Sequence, residues 1–206
     1  HGVLPLDDRT IELFGTRFEP HSPHPPSRRY TYRPPVSPMP AQAGAAIGGR
    51  SWDLDSQVDR PAGAEGVIYA TGSQTSGLTL FVQGDRLVFD YNCFGDHHVA
   101  ESTATVPVGR SSLGLRFRRG GGGTGHADVV IDGEVCGGVD IPFVMSIVSS
   151  LGPSVGYDHG SPVSDRYHDE FAFQGALDQV DITLVSARQA ESAAAEADAR
   201  ASMSRQ

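Results

Sequence analysis

Thr79-Leu80-Phe81-Val82, then Gln83-Gly84-Asp85, then Arg86-Leu87-Val88-Phe89-Asp90-Tyr91 is the stretch that decides the fold. Two apolar, strand-forming runs flank a short polar loop containing glycine, which is the signature of an antiparallel hairpin. Val129-Val130-Ile131, Asp132-Gly133, Glu134-Val135-Cys136 repeats the pattern, with Asp-Gly suited to a type I′ turn. Outward from these hairpins a two-residue period persists. Trp52, Leu54, Ser56 and Val58 fall on one side of a strand, and Asp53, Asp55 and Gln57 on the other. Leu113, Leu115 and Phe117 alternate with Gly114, Arg116 and Arg118, while Val180, Ile182 and Leu184 share one face of 176–185. The expectation is a mainly β chain of about ten strands joined by tight turns, an antiparallel β-sandwich.

Composition agrees. The chain has 206 residues, enough for one full hydrophobic core, with 25 glycines, 14 prolines and an apolar fraction of 38%. Its formal charge of −9 opposes a nucleic-acid partner, which would need clustered cations. All 16 basic residues are arginine, read as codon bias of a G+C-rich genome. No run approaches the roughly 20 apolar residues that span a bilayer, so no membrane partner is expected. His1-Gly2-Val3-Leu4-Pro5 lacks a basic region followed by an apolar run and lacks an initiator Met. That favours the cytoplasm and suits a piece of a longer protein.

Residues 3–18 can form a short helix with Asp7 or Asp8 as cap and Ile11, Leu13, Phe14 and Phe18 as its apolar side. Residues 21–44 are proline-rich and read as a linker, apart from a short strand at Arg29–Tyr32. The sandwich is expected over 45–186. Residues 187–206, rich in Ala, Glu, Arg and Ser, offer no apolar face and read as a frayed helix or disordered tail.

Four ordered segments carry a family resemblance: Ala64-Glu65-Gly66-Val67, Asp90-Tyr91-Asn92-Cys93-Phe94-Gly95, Asp158-His159-Gly160-Ser161-Pro162-Val163-Ser164, and Phe171-Ala172-Phe173-Gln174-Gly175. Together they resemble the C-terminal region of long bacterial, actinobacterial-like arylsulfatases. Pro5-Leu6-Asp7-Asp8-Arg9 resembles the closing stretch of that family's catalytic domain, which places its end within residues 1–20. The resemblance implies a concanavalin A-like or laminin-G-like jelly roll packing on, or gating, a sulfatase catalytic domain as its partner. For the parent it implies hydrolysis of aryl sulfate esters with formylglycine and a divalent metal, usually calcium. The formylglycine motif, Cys- or Ser-x-Pro-x-Arg, does not occur here: Phe-Gly follows Cys93 and Gly-Gly follows Cys136. Lysine, part of the family's metal and sulfate cage, is missing altogether. The chain alone is therefore expected to be inactive and to hold no cofactor. The alternative is a free-standing sandwich that binds a carbohydrate, weakly, or a protein.

Other candidate chemistry is sparse. Asp96, His97 and His98 are the densest possible ligand cluster, but adjacent histidines on a strand face opposite ways, and a solvated loop is the simpler reading. Asp158 and His159, with Asp165, His168, Asp169 and Glu170, could hold Ca²⁺ through oxygens, though their spacing fits no defined loop. A turn held by its own hydrogen bonds is preferred. Asp158, His159 and Ser161 are too close in sequence for a triad. Gly120-Gly121-Gly122-Gly123 lacks the Gly-Lys-Ser/Thr of a phosphate cradle and reads as a hairpin loop. Arg116, Arg118 and Arg119 could steer an anionic ester. Trp52 reads as core. Two cysteines make no disulfide framework. The family resemblance puts Cys93 where a bulky apolar residue usually stands, which implies a buried free thiol. A Cys93–Cys136 bridge is the alternative if their Cα atoms come within about 7 Å. No residue is assigned as catalytic, cofactor-binding or metal-binding.

Overall fold

The computed structural model describes residues 29–34, 39–146, 148 and 151–185. The helix expected at 3–18 and the tail at 187–206 lie outside them. Among the described residues eleven strands follow one another: β1 (Arg29–Tyr32), β2 (Ser51–Arg60), β3 (Gly66–Gly72), β4 (Ser76–Gln83), β5 (Arg86–Cys93), β6 (Asp96–Glu101), β7 (Gly109–Arg119), β8 (Gly125–Ile131), β9 (Glu134–Ile141), β10 (Pro153–Val155) and β11 (Ala176–Val185). They make two sheets, β1-β11-β2-β7-β8-β9 and β10-β3-β4-β5-β6, in which every pairing is antiparallel. The antiparallel sandwich expected from the alternation is the fold.

Both sequence-derived hairpins form. Gly84 and Asp85 between β4 and β5 have φ of 56° and 60°, and Asp132 and Gly133 between β8 and β9 have 49° and 86°. Positive φ at both central residues is the type I′ condition, whose twist matches the strands it joins. The strand at Arg29–Tyr32 becomes an edge of the six-stranded sheet, with Tyr30 opposite Ile182 and Tyr32 opposite Val180.

The inward side chains of the two sheets form the main core. Trp52 stacks on Phe117 at 5.4 Å between ring centres, and Tyr91 from the opposite sheet stacks on the same ring at 5.9 Å. The Met145 amide donates to the Tyr91 hydroxyl at 2.8 Å, so the phenol is buried with a partner. Cys93 and Cys136 are buried free thiols, pushed up in pKa by burial. Arg60, also buried, is held by the carbonyls of Ala64 and Val106 and by Asp85. Each nitrogen of this interior guanidinium therefore meets an oxygen.

The two sheets differ in what lies behind them. In β2 the inward residues are buried and Asp53, Asp55, Gln57 and Asp59 point out, half-buried or exposed. In β3 every residue is buried, as are the middle six of β4 and all but the first of β5. Strands covered on both faces need continuous apolar runs rather than alternation. The cover is residues 156–175, a strap laid across the outside of the five-stranded sheet. Val67, Ala70, Phe81, Val88 and Tyr167 form a second apolar cluster beneath it, with Val99 and Phe171 packed alongside.

Candidate functional site

The strap is fixed by backbone first. Gly156 N donates to Ile68 O, Val67 N to Phe171 O, Gln174 N to Glu65 O and Phe173 N to Gly156 O, and a parallel bridge joins Val67 to Ala172. Gly66 allows this approach: a Cβ there, at φ 128°, would sit 2.4 Å from Phe173 Cα and 2.5 Å from Ala172 O. Tyr167 and Phe171 then stack on one another and meet Phe81 edge-on.

Buried polar groups complete the seat. Tyr167 donates to Asp158 Oδ2 at 2.5 Å and lies 3.2 Å from Thr79 Oγ1, while Val163 N donates to the same Asp158 oxygen at 2.8 Å. Burial pushes the Asp158 carboxyl above its ordinary pKa, partly offset by those two hydrogen bonds. Burial and the neighbouring Asp158 push the Tyr167 phenol up as well. Ser164 donates to Asp90 Oδ2 at 2.5 Å, and His97 Nδ1 contacts the Asp90 carboxylate at 2.9 and 3.0 Å. His97 Nε2 lies 3.5 Å from Asp165 Oδ2, on a side chain 91% exposed.

These positions correct one sequence reading and extend another. Asp96, His97 and His98 are the start of β6 and not a solvated loop, because β5 pairs with them, Asn92 opposite His97 and Tyr91 opposite His98. Asp158 lies in a turn held by its own hydrogen bonds, from Val163 N and the Tyr167 hydroxyl, and that turn is buried. The structure brings His97 to Asp90 and Asp165. It does not bring His98, His159 or His168 to them, and no three potential ligands converge on one point among the described residues. Ser164 donates to the carboxylate and not to the imidazole, so the hydrogen-bond order that would activate a serine is not built here. Chemically the arrangement is a clamp.

Asp90, Ser164, Asn92, Thr79 and Tyr167 were missed by sequence reasoning. A signal existed for two of them: Asp90 and Asn92 interrupt an apolar strand, and a polar side chain inside such a strand needs a buried partner.

Among the described residues, no strap lies across the outside of the six-stranded sheet. Arg116 reaches Asp55 at 2.6 Å and the Leu54 carbonyl at 3.0 Å. Arg118 reaches Asp53 at 2.5 Å, and Arg119 reaches the Gly49 carbonyl. These arginines are therefore tied to their own sheet. Asp181 accepts from Arg29, Thr31 and Gln179. Against the cost of burial, those hydrogen bonds hold its carboxyl below the usual range. His126 bridges Asp140 at 2.6 Å and Asp128 at 3.0 Å; burial would lower its pKa, but the two carboxylates raise it. Gly121–Gly123 form a short 3-10 turn between β7 and β8.

One place on this face is open. Pairing of β11 with β2 slips between Leu177 and Gln179, leaving Asp178 as the extra residue of a β-bulge. Beside it lies a hollow of about 370 Å³ lined by Gln57, Val58, Arg110, Asp178 and Gln179. Arg110 is 83% exposed and only loosely paired, with Nε 3.8 Å from Asp59.

No family profile matches the chain, and no curated protein sequence does. Among solved structures, domains LG4-5 of the mouse laminin α1 chain share 17% identity at a TM-score of 0.48. That match covers 71% of this chain and 38% of that one. The carbohydrate-binding module CBM40 of a Ruminococcus gnavus sialidase, bound to α2,6 sialyllactose, shares 8% identity at a TM-score of 0.47, over 74% of this chain and 90% of that one. A heptameric SAP-like pentraxin from Limulus polyphemus shares 13% identity at 0.41, over 74% and 66%. At such identities and scores the likeness is one of strand layout and says nothing about ligands. The molecule is similar to these proteins as a two-sheet antiparallel sandwich.

Proposed function

We propose that the chain is a non-catalytic binding module that takes a carbohydrate on the outer face of the six-stranded sheet. The observation that carries this reading is the hollow at the β11 bulge. Its guanidinium, amide and carboxylate groups offer donors and acceptors at one place, and vicinal hydroxyls need both. Among the described residues, Arg116 and Arg118 of that face are engaged by Asp55 and Asp53, which favours the hollow as the place of recognition. Titration calorimetry with cello-, xylo-, chito- and malto-oligosaccharides tests it. Binding of at least one, lost in Arg110→Ala and Gln57→Ala with melting temperature unchanged, is the expected result. Absence of binding throughout, or binding indifferent to both variants, would reject it.

A second reading has its own support. The four segments that resemble arylsulfatase C-terminal regions meet at the strap: 64–67 and 171–175 pair with each other, and 90–95 and 158–164 share the Asp90–Ser164 and Asn92–Val163 contacts. A resemblance concentrated on one structural device suits a domain that presents that device to a sulfatase catalytic partner. Mixing the chain with an arylsulfatase lacking its own C-terminal region, and measuring complex formation by light scattering, tests this. Failure to associate removes the reading.

A further inference from the structure

A third tight turn, between β5 and β6 of the five-stranded sheet, breaks the pattern of the other two. Gly84-Asp85 and Asp132-Gly133 fill their left-handed positions with glycine and aspartate, which tolerate them. Between β5 and β6 the turn is Phe94-Gly95, with φ of 56° and 92°. A bulky residue at positive φ is disfavoured. The same ring is 72% exposed and, among the described residues, stacks on no other. Phe94 thus carries a conformational and a solvation cost where Asn would carry neither.

The surroundings are rigid. Asn92, fully buried, donates through Nδ2 to the carbonyls of Gln74 at 2.9 Å and Val163 at 3.0 Å, and accepts at Oδ1 from Gly95 N at 2.9 Å. One amide therefore locks the β3–β4 loop, the strap and the Phe94 turn together, and Gln74 N donates to Ser161 Oγ as a further tie. Gln74 and Thr75 of the β3–β4 loop, Asp96 beside the turn and Asp165 of the strap are exposed polar residues on the three segments so tied.

We infer that this three-loop rim is a second carbohydrate subsite, in which the Phe94 ring takes the apolar face of a neutral sugar. Gln74, Thr75, Asp96 and Asp165 engage its hydroxyls. Preorganisation by Asn92 lowers the ordering cost of binding. The acids and the overall charge of −9 oppose an anionic sugar or an anionic lipid surface. This inference rests on reading the chain as a carbohydrate-binding module, but on residues other than those of the hollow. Phe143 and Leu151 are exposed on the segment that crosses the same end of the sandwich, so a lipid surface is the competing occupant.

The test is Phe94→Asn, which leaves Asn-Gly, the favoured type I′ pair. It should hold or raise the melting temperature while removing the rim's share of oligosaccharide binding and leaving the hollow's. Two sites in calorimetry then become one, and Phe94→Tyr should restore the second site. If sugar binding is lost in Arg110→Ala but unchanged in Phe94→Asn, the rim is refuted and the hollow stands. If Phe94→Asn alone abolishes it, the rim stands and the hollow falls. Binding to phosphatidylcholine vesicles that depends on Phe94, with none to sugars, would overturn the inference in favour of lipid. So would no binding to either.

Discussion

The strapped face of the five-stranded sheet and the bare face of the six-stranded one are built from the same strand geometry with opposite chemistry. Behind β3, β4 and β5 lie Phe81, Val88 and Tyr167, with Asp90 and Asp158 sealed among them. Behind β2 and β7 lie half-buried arginines and aspartates paired with one another. The difference shows that an outer face can be a second core. On the strapped side burial and complete pairing make each side chain costly to change. On the bare side solvent screens the ion pairs, so the surface is free to serve recognition.

The largest effect separates the faces directly. Phe81→Ala should destabilise the fold by about 3–5 kcal/mol in chemical denaturation, although the ring lies on an outer face. Arg116→Ala, outward on the other sheet, should cost about 0–1 kcal/mol. Equal costs would erase the contrast. Next, Gly66→Ala drives a methyl into Phe173 and Ala172 and should cost about 1–3 kcal/mol. The cost should appear as faster proteolysis within 156–175 and not elsewhere.

Tyr167→Phe removes the donor to a buried carboxylate and should cost about 1–3 kcal/mol. The pH dependences of the two faces should have opposite sign. Asp158 has a folded pKa raised above its ordinary value, so its contribution is full below that value and is lost as pH rises through the raised one. Asp181 has a lowered folded pKa, so its contribution is present above the ordinary value and is lost as pH falls through the lowered one. Comparing Asp158→Asn and Asp181→Asn with the parent from pH 2 to 7 checks both; matching slopes would contradict the assignment.

The smallest effect belongs to His126. Its raised pKa places its stabilisation below the ordinary imidazole value, to be lost as pH rises through the raised one. Screening at this half-exposed site keeps that within about 1 kcal/mol. His126→Gln should flatten the stability profile between pH 5 and 8, and an unchanged profile would discount the pair with Asp128 and Asp140.

What the sequence disclosed follows from range. Alternation in 51–60 and 113–118 reports a strand with one wet face, and Asp132-Gly133 reports a turn, because both signals are local. The bare face was therefore legible, including its arginines. The strap was not. Its hydrogen bonds join Tyr167 to Thr79 and Ser164 to Asp90 across more than 70 residues. No short-range pattern marks such partners, and Asp158 to Glu170 has the composition of a solvated loop. The hollow was hidden for a different reason: it depends on one extra residue in β11 slipping the register against β2, and its only local trace is the three-residue step from Leu177 to Val180 ahead of the regular alternation.

The most direct measurement is an NMR titration of the ¹⁵N-labelled chain with whichever neutral oligosaccharide calorimetry identifies. The account predicts amide shifts around Gln57, Arg110, Asp178 and Gln179 on the bare face, with the rim at Phe94 as a separate set. Shifts confined to the strap at 157–173, or none with any oligosaccharide tested, would contradict it.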